Sequence, residues 1–219
     1  IPDFNSFEDR KIVNSTKIYD RTGEILLYDI NNDIKRTNIV SADMGINIKN
    51  ATVAVEDSDF YNHGGIRITS IVRAVLSNLF NTGKTQGGST ITQQLVKNTL
   101  LNPKKTFARK IKEWVLAVKI DNTMPKEKIL ELYLNEVPYG GTIYGIYEAS
   151  KTYFNKNPID LSIVEAAYLA SIPQSPTTLS PYRKNKDKLE ERKNFVLNRM
   201  YELKIINDDE YTKAKEEKV

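Results

Sequence analysis

Apolar positions recur along this chain with two different periods, and the change comes near residue 45. Between residues 15 and 30 they alternate. Lys17-Ile18-Tyr19 and Glu24-Ile25-Leu26-Leu27-Tyr28 flank Asp20-Arg21-Thr22-Gly23, which predicts a short β-hairpin. From about Asn47 onward the pattern is helical. Ile48, Ala51, Val53 and Val55 predict a helix over 47–56 that ends where two acids begin. Ile66 to Phe80 predicts a mostly apolar helix carrying Arg67 and Arg73, and the glycine-rich stretch 81–88 after it predicts a loop. Pro103 sits in the favoured first turn of the next helix. There Phe107, Ile111, Trp114, Val115 and Val118 predict one apolar stripe, with Arg109, Lys110 and Glu113 on the opposite side. Lys126 to Val137 is amphipathic through Ile129, Leu130, Tyr133 and Leu134. Ser162-Ile-Val-Glu165 reads as a capping box opening a helix stopped by Pro173, and Asn207-Asp-Asp-Glu210 starts a last one. The expected fold is mainly α.

Composition narrows the picture modestly. A chain of 219 residues with 40% hydrophobic content supports a core of one domain, with room for a small appendage. The absence of cysteine excludes a disulfide framework, and with a single histidine it argues against a structural zinc site. The net charge of +4 selects no partner by itself. Basic residues cluster at Lys104-Lys105, at Arg109-Lys110-Lys112 and again from Arg183 to Arg199, without any nucleic-acid motif. No nucleic-acid partner is therefore expected; a pyrophosphate or an anionic lipid surface suits such clusters at least as well. No apolar run reaches the roughly 18 residues of a membrane span.

Three segments carry candidate chemistry. Gly87-Gly88-Ser89-Thr90-Ile91-Thr92-Gln93-Gln94, followed by Leu95-Val96-Lys97-Asn98, joins a glycine pair to a capping box at Thr90 and Gln93. Gln93, Gln94 and Lys97 are spaced to share a helix face, which with Ser89 and Thr90 suits an anionic, hydroxyl-rich ligand. An ordinary capped surface helix fits the same residues. The second segment, Val55 to Gly65, places Glu56-Asp57 after an apolar run, then Phe60-Tyr61, the single histidine His63 and two glycines. Beside Gly64-Gly65, His63 is expected to be structural, bonding a turn carbonyl, with Phe60 and Tyr61 as packing. The third is Arg109-Lys110-Ile111-Lys112-Glu113-Trp114, which alone reads as a surface helix ion pair.

Taken in order, these segments resemble the family 51 glycosyltransferases, the peptidoglycan polymerase domain of class A penicillin-binding proteins. The patterns E-D-x-x-F-x-x-H-x-G, G-x-S-T-I-T-Q-Q-x-x-K-N and R-K-x-x-E are all intact. Two weaker ones follow, in Lys128 to Asn135 and in Arg192-Lys193-Asn-Phe-Val196-Leu197, where the family more often has two arginines. The resemblance implies a lysozyme-like large helical lobe and a smaller membrane-facing lobe at about 66–88. Residues 1–45 would then be an N-terminal segment with the hairpin, and 46–219 the glycosyltransferase domain. It also implies an extracytoplasmic position at the bacterial cell membrane, by way of an anchor outside these residues. A C-terminal transpeptidase, where the parent has one, is expected beyond Val219, because no S-x-x-K, S-x-N and K-T-G set occurs here.

The implied reaction polymerises lipid II. The 4-hydroxyl of one sugar displaces polyprenyl pyrophosphate from the anomeric carbon of another, with inversion, so the partners are lipid II, the growing lipid-linked strand and the membrane surface. Glu56 is the expected general base, because burial at the end of an apolar segment and the adjacent Asp57 both raise a carboxylate pKa. Asp57, counted with the substrate-binding residues, is expected to orient a backbone group or a basic neighbour rather than to transfer protons. Glu113 becomes the second catalytic carboxylate, assisting the leaving group directly or through a divalent ion. Lys97, Arg109 and Lys110 become pyrophosphate ligands, while Ser89, Thr90, Gln93 and Gln94 hold sugar hydroxyls or phosphates. No cofactor is obligatory on this reading; Mg2+ or Mn2+ could bind between Glu113 and the substrate pyrophosphate. Two alternatives stand beside it, a lysozyme-like glycan hydrolase with two carboxylates and a catalytically silent membrane-surface scaffold.

Overall fold

The computed structural model describes residues 16–19, 21–22, 26–30, 34–68, 88–100, 107–179, 181, 186–217 and 219. Its N-terminal hairpin pairs β1 (Thr16–Tyr19) with β2 (Leu26–Ile30) antiparallel, Thr16 opposite Ile30, with a bulge between Ile18 and Tyr19. Eight α-helices follow among the described residues: α1 (Ile46–Glu56), α2 (Ile91–Thr99), α3 (Phe107–Thr123), α4 (Lys126–Glu136), α5 (Ile146–Phe154), α6 (Ile163–Ser171), α7 (Lys186–Glu202) and α8 (Asp208–Glu216). The mainly α expectation therefore holds. Helix α4 ends within a residue of the expected Val137, and residues 137–145 run between α4 and α5 as a loop. The isolated bridges Lys35 to Ile143 and Pro138 to Tyr144 hold it. Most of the apolar helix expected at Ile66 to Phe80, with its loop to Gly88, lies outside the described residues, as does the start of the helix expected at Pro103.

Helix α1 is the centre of one layer. It buries Ile48, Ala51, Thr52, Val53 and Ala54, and packs on α6 and α7, while α8 packs on α7. In the second layer α2 packs on α3 and α4. Capping boxes open α2 (Thr90 with Gln93), α6 (Ser162 with Glu165) and α8 (Asn207 with Glu210), all three at helix starts that the sequence predicted. The pattern Lys128 to Asn135 fastens α4 to the chain before α1. Asn135 donates to Ile39 O and accepts from Ile39 N, and Glu131 accepts from Ser41 N at 2.9 Å.

One expectation for α3 is reversed. Ile111 and Val115 of the expected apolar stripe are 44% and 57% exposed, while Glu113 is 1% exposed. The helix buries Glu113, Leu116, Ala117 and Ile120 instead. These positions are spaced i, i+3, i+4 and i+7 as well, so periodicity alone offered two faces. The turn at Gly65 lies against the helix backbone on this side. Gly65 has φ +82°, and a Cβ there would stand 2.5 Å from Ala117 O.

Candidate functional site

The predicted residues fall into three connected groups arranged around the N-terminal half of α2. The first surrounds Glu56, the last residue of α1. Gln94 Nε2 donates to Glu56 Oε2 at 2.7 Å, and Tyr133 Oη donates to Gln94 Oε1 at 3.3 Å. The other carboxylate oxygen, Oε1, is shielded from solvent and has no hydrogen-bond partner among the described residues. Burial pushes the Glu56 carboxyl above the usual glutamate range; Asp57 adds to the rise, and Gln94, Arg192 and Lys97 oppose it. Lys97 is exposed on α2. Arg192, on α7, is the residue sequence reasoning left without a role. Burial lowers its pKa, the charge of Glu56 works the other way, and its guanidinium lies over the Phe195 ring at 4.7 Å. Its signal in the sequence was the Arg192-Lys193 pair. The second residue of that pair is spent elsewhere, since Lys193 is buried and pairs with Glu190.

The second group is buried and joins α1 to α2. Asp57 is 0% exposed. Its Oδ2 accepts from Ile91 N at 3.0 Å and from His63 Nε2 at 2.8 Å, and Arg67 Nε lies 3.4 Å from Oδ1. Gly65 N donates to His63 Nδ1, so the neutral imidazole carries its proton on Nε2 and donates to Asp57. His63 thus serves the turn, as expected, through an amide N–H rather than a carbonyl. Thr90 and Gln93 are buried as well. Thr90 Oγ1 donates to Gly65 O at 2.6 Å, and the Gln93 side chain accepts from Thr90 N at 2.8 Å. Thr90 and Gln93, expected to hold sugar hydroxyls or phosphates, are therefore turned inward and occupied by the fold, while Asp57 orients a backbone N–H, Ile91 N, and has a basic neighbour in Arg67. Gln93 does not share the face of Gln94 and Lys97, because as the third residue of a capped helix it folds back on the cap.

The third group is centred on Glu113. Lys110 Nζ contacts Glu113 Oε1, and Arg109 Nη1 lies 3.4 Å from Oε2, so both oxygens of a buried carboxylate meet cations of its own helix. Lys110 Nζ also donates to Ser89 Oγ at 3.1 Å, which ties the cluster to the residue preceding the cap of α2. This is not a solvent-screened surface pair, because Glu113 is withdrawn from water while Lys110 keeps about a third of its side chain exposed. The segment Ser89 to Gln94 thus touches both carboxylates, Glu113 through Lys110 and Glu56 through Gln94.

Among the described residues no three His, Cys, Asp or Glu side chains converge as a metal-ligand set. No helix among them is long and apolar enough to cross a membrane.

Comparison with known proteins gives a consistent result. The Transglycosylase family matches residues 23–201. Penicillin-binding protein 1F of Bacillus subtilis (strain 168) is 42% identical over 204 residues, covering 92% of this chain and 27% of that protein. Penicillin-binding protein 1A of Haemophilus influenzae is 43% identical over 185 residues, 84% of this chain and 22% of that protein. The 2.6 Å crystal structure of penicillin-binding protein 1A from Haemophilus influenzae superposes with a TM-score of 0.54 at 24% identity. That match spans 95% of this chain and 21% of that one, and it supports the fold. The chain thus spans roughly a quarter of the length of the curated relatives it matches.

Proposed function

The chain belongs to the Transglycosylase family, and on that premise we propose that it is a peptidoglycan glycosyltransferase polymerising lipid II at the outer face of the bacterial cell membrane. The observation that carries the reading is the asymmetry of Glu56. One oxygen is held by Gln94, the other is shielded and without a partner among the described residues, and the carboxyl is pushed above its usual range. A base of this kind is free to take a proton from a sugar hydroxyl once a substrate excludes water.

In the proposed step the acceptor 4-hydroxyl oxygen bonds to the anomeric carbon of the donor sugar. The carbon–oxygen bond to polyprenyl pyrophosphate breaks, with inversion, and the hydroxyl proton goes to Glu56. The pyrophosphate leaves as an anion and needs compensating charge. Lys97 and the Lys110, Arg109 and Glu113 cluster supply a net positive surface on the α2–α3 side of the site. Glu113 acts here by holding the two cations in place, since both of its oxygens already meet them. A divalent ion bound to the pyrophosphate could take Glu113 as a ligand only by displacing Lys110 or Arg109 from its oxygens. Ser89, beside Lys110, is the polar side chain at the start of α2 best placed to meet sugar or phosphate, while Gln94 is held between Glu56 and Tyr133. Glycan hydrolysis on the same scaffold is disfavoured, because a neutral leaving sugar has no use for these cations.

We also propose 46–219 as the glycosyltransferase domain, with the lobe at about 66–88 turned to the membrane. A transpeptidase in the same polypeptide is consistent with relatives named penicillin-binding proteins. Incubation with lipid-linked disaccharide pyrophosphate, with products resolved on a gel, tests the function. Glycan ladders are expected from the parent protein and none from Glu56→Gln, a loss of about 10²–10⁴-fold. Ladders from Glu56→Gln at parental rate would remove Glu56 from the role of base.

A further inference from the structure

Three helices meet in a line of two hydrogen bonds. Tyr133 of α4 donates to Gln94 Oε1 of α2 at 3.3 Å, and Gln94 Nε2 donates to Glu56 Oε2 of α1 at 2.7 Å. Tyr133 is 1% exposed, and among the described residues its hydroxyl has no other hydrogen-bond partner. A primary amide presents a donor on one side and an acceptor on the other, and rotation by half a turn exchanges them. If the Gln94 amide turned, its carbonyl oxygen would face the Glu56 carboxylate, and the Tyr133 proton would be left without an acceptor in a buried place. Both consequences are costly. The tyrosine hydroxyl therefore selects one orientation of the amide, which gives the carboxylate a donor.

We propose that Tyr133 is a positioning residue for the base. By donating to Gln94 Oε1 it locks the amide with Nε2 toward Glu56, so Oε2 is held and Oε1 is left for the acceptor hydroxyl. The inference rests on Glu56 being the general base. Burial raises the Tyr133 pKa well above its ordinary range, with Glu56, Tyr139 and Asp57 adding to the effect, so the hydroxyl keeps its proton throughout the working range. The charged and titratable groups acting on Glu56 come from every side. Asp57 follows it in the chain, Lys97 lies on α2, Arg192 on α7, Tyr133 on α4, and Tyr139 in the loop after α4. None of them can replace the amide donor at Oε2, because Gln94 already occupies that position.

The test is the pH–rate profile of polymerisation on lipid-linked disaccharide pyrophosphate, recorded for the intact protein and for Tyr133→Phe. The substitution removes one oxygen and keeps the ring. With the lock gone, ionised Glu56 loses part of its donor, and its acid limb moves to higher pH. The expected result is a loss of about tenfold on the acidic flank, equivalent to a shift of about one pH unit. At alkaline pH the rate should return to within about twofold of the parent, with KM little changed. Gln94→Met should move the limb the same way, and adding Tyr133→Phe to it should move the limb no further. Should Tyr133→Phe fold poorly, Gln94→Met carries the pH test by itself. A limb that stays in place in both variants, or shifts that add, would overturn the lock. A rate lowered equally at every pH would assign Tyr133 to the fold alone and overturn it too. The underlying reading fails separately, if Glu56→Gln still polymerises.

Discussion

Asp57 accepts the backbone N–H of Ile91 across 34 residues of sequence, at 3.0 Å, so the residue beside the candidate base also anchors the first turn of α2. A buried carboxylate on the unpaired N–H groups of a helix start is favoured by both the hydrogen bond and the helix dipole. Here the same oxygen also takes His63 Nε2–H. Gln94 lies one turn into that helix, so the position of the Glu56 partner depends on Asp57. Asp57→Ala should leave the Ile91 and His63 donors unmet, at about 3 kcal/mol. Thermal melting is expected to show a fall of several degrees, with polymerisation lost in parallel. Parental melting with abolished turnover would show that Asp57 works on the substrate instead.

Gly65 makes a similar case through the backbone. Its φ of +82° and the 2.5 Å approach of a built Cβ to Ala117 O leave no room for a side chain. Its carbonyl also receives Thr90 Oγ1, the cap of α2. Gly65→Ala is therefore expected to cost about 2–3 kcal/mol, from the strained dihedral and the displaced α3 contact together. Gly64, where an added Cβ meets nothing within 4 Å, should accept alanine with a melting temperature within about 2 °C of the parent. Similar losses at both positions would mean the turn is strained for another reason.

Glu56 links the site to stability with a definite sign. Burial, the largest cause, raises its folded pKa above the unfolded value, so the folded chain holds the proton more tightly. The protonated form favours folding below the ordinary glutamate value, and that advantage disappears as pH rises through the folded value. Above that point the ionised carboxylate is a cost that Glu56→Gln removes. The variant is expected to melt higher than the parent at neutral and alkaline pH, with the gain vanishing as pH falls below the ordinary glutamate range. Calorimetry at a series of pH values checks this. A gain unchanged across the series would mean that ionisation is not its source.

Much of this arrangement could be read from the chain, and the parts that could not share a cause. Capping boxes are local chemistry, so Thr90-Gln93, Ser162-Glu165 and Asn207-Glu210 were legible as helix starts. The pairing of Glu113 with Arg109 and Lys110 was legible too, since i−4 and i−3 neighbours meet on any helix. Its burial was not. Which of two amphipathic faces of α3 turns inward is a matter of tertiary packing, here against α2 and the turn at Gly65, which lies beside the Ala117 carbonyl. Thr90 and Gln93 looked like ligands because polar residues after a glycine pair suit a ligand and a cap equally well. Only the partners, Gly65 O and Thr90 N, separate the two uses. Arg192 stands 136 positions from Glu56 in the sequence, and no periodicity relates residues that far apart.

Lys97 and Lys110 should separate catalysis from stability in opposite ways. Lys97 is exposed and lowers the Glu56 pKa through its charge, with little packing to lose. Lys97→Ala is expected to leave the melting temperature within about 1–2 °C of the parent, as at most surface positions, while turnover falls. Lys110 answers a carboxylate that is 1% exposed, so Lys110→Ala should lower both, because Glu113 keeps only Arg109 at 3.4 Å. Replacing the carboxylate as well removes the buried charge that lacks a full partner. The double variant Lys110→Ala with Glu113→Gln should recover most of the melting temperature but none of the turnover, since the cation facing the leaving group is still missing. Paired melting curves and gel assays on the three variants and the parent decide the point. Turnover restored along with stability would make the Lys110 to Glu113 pair a structural clamp and leave pyrophosphate recognition to other cations.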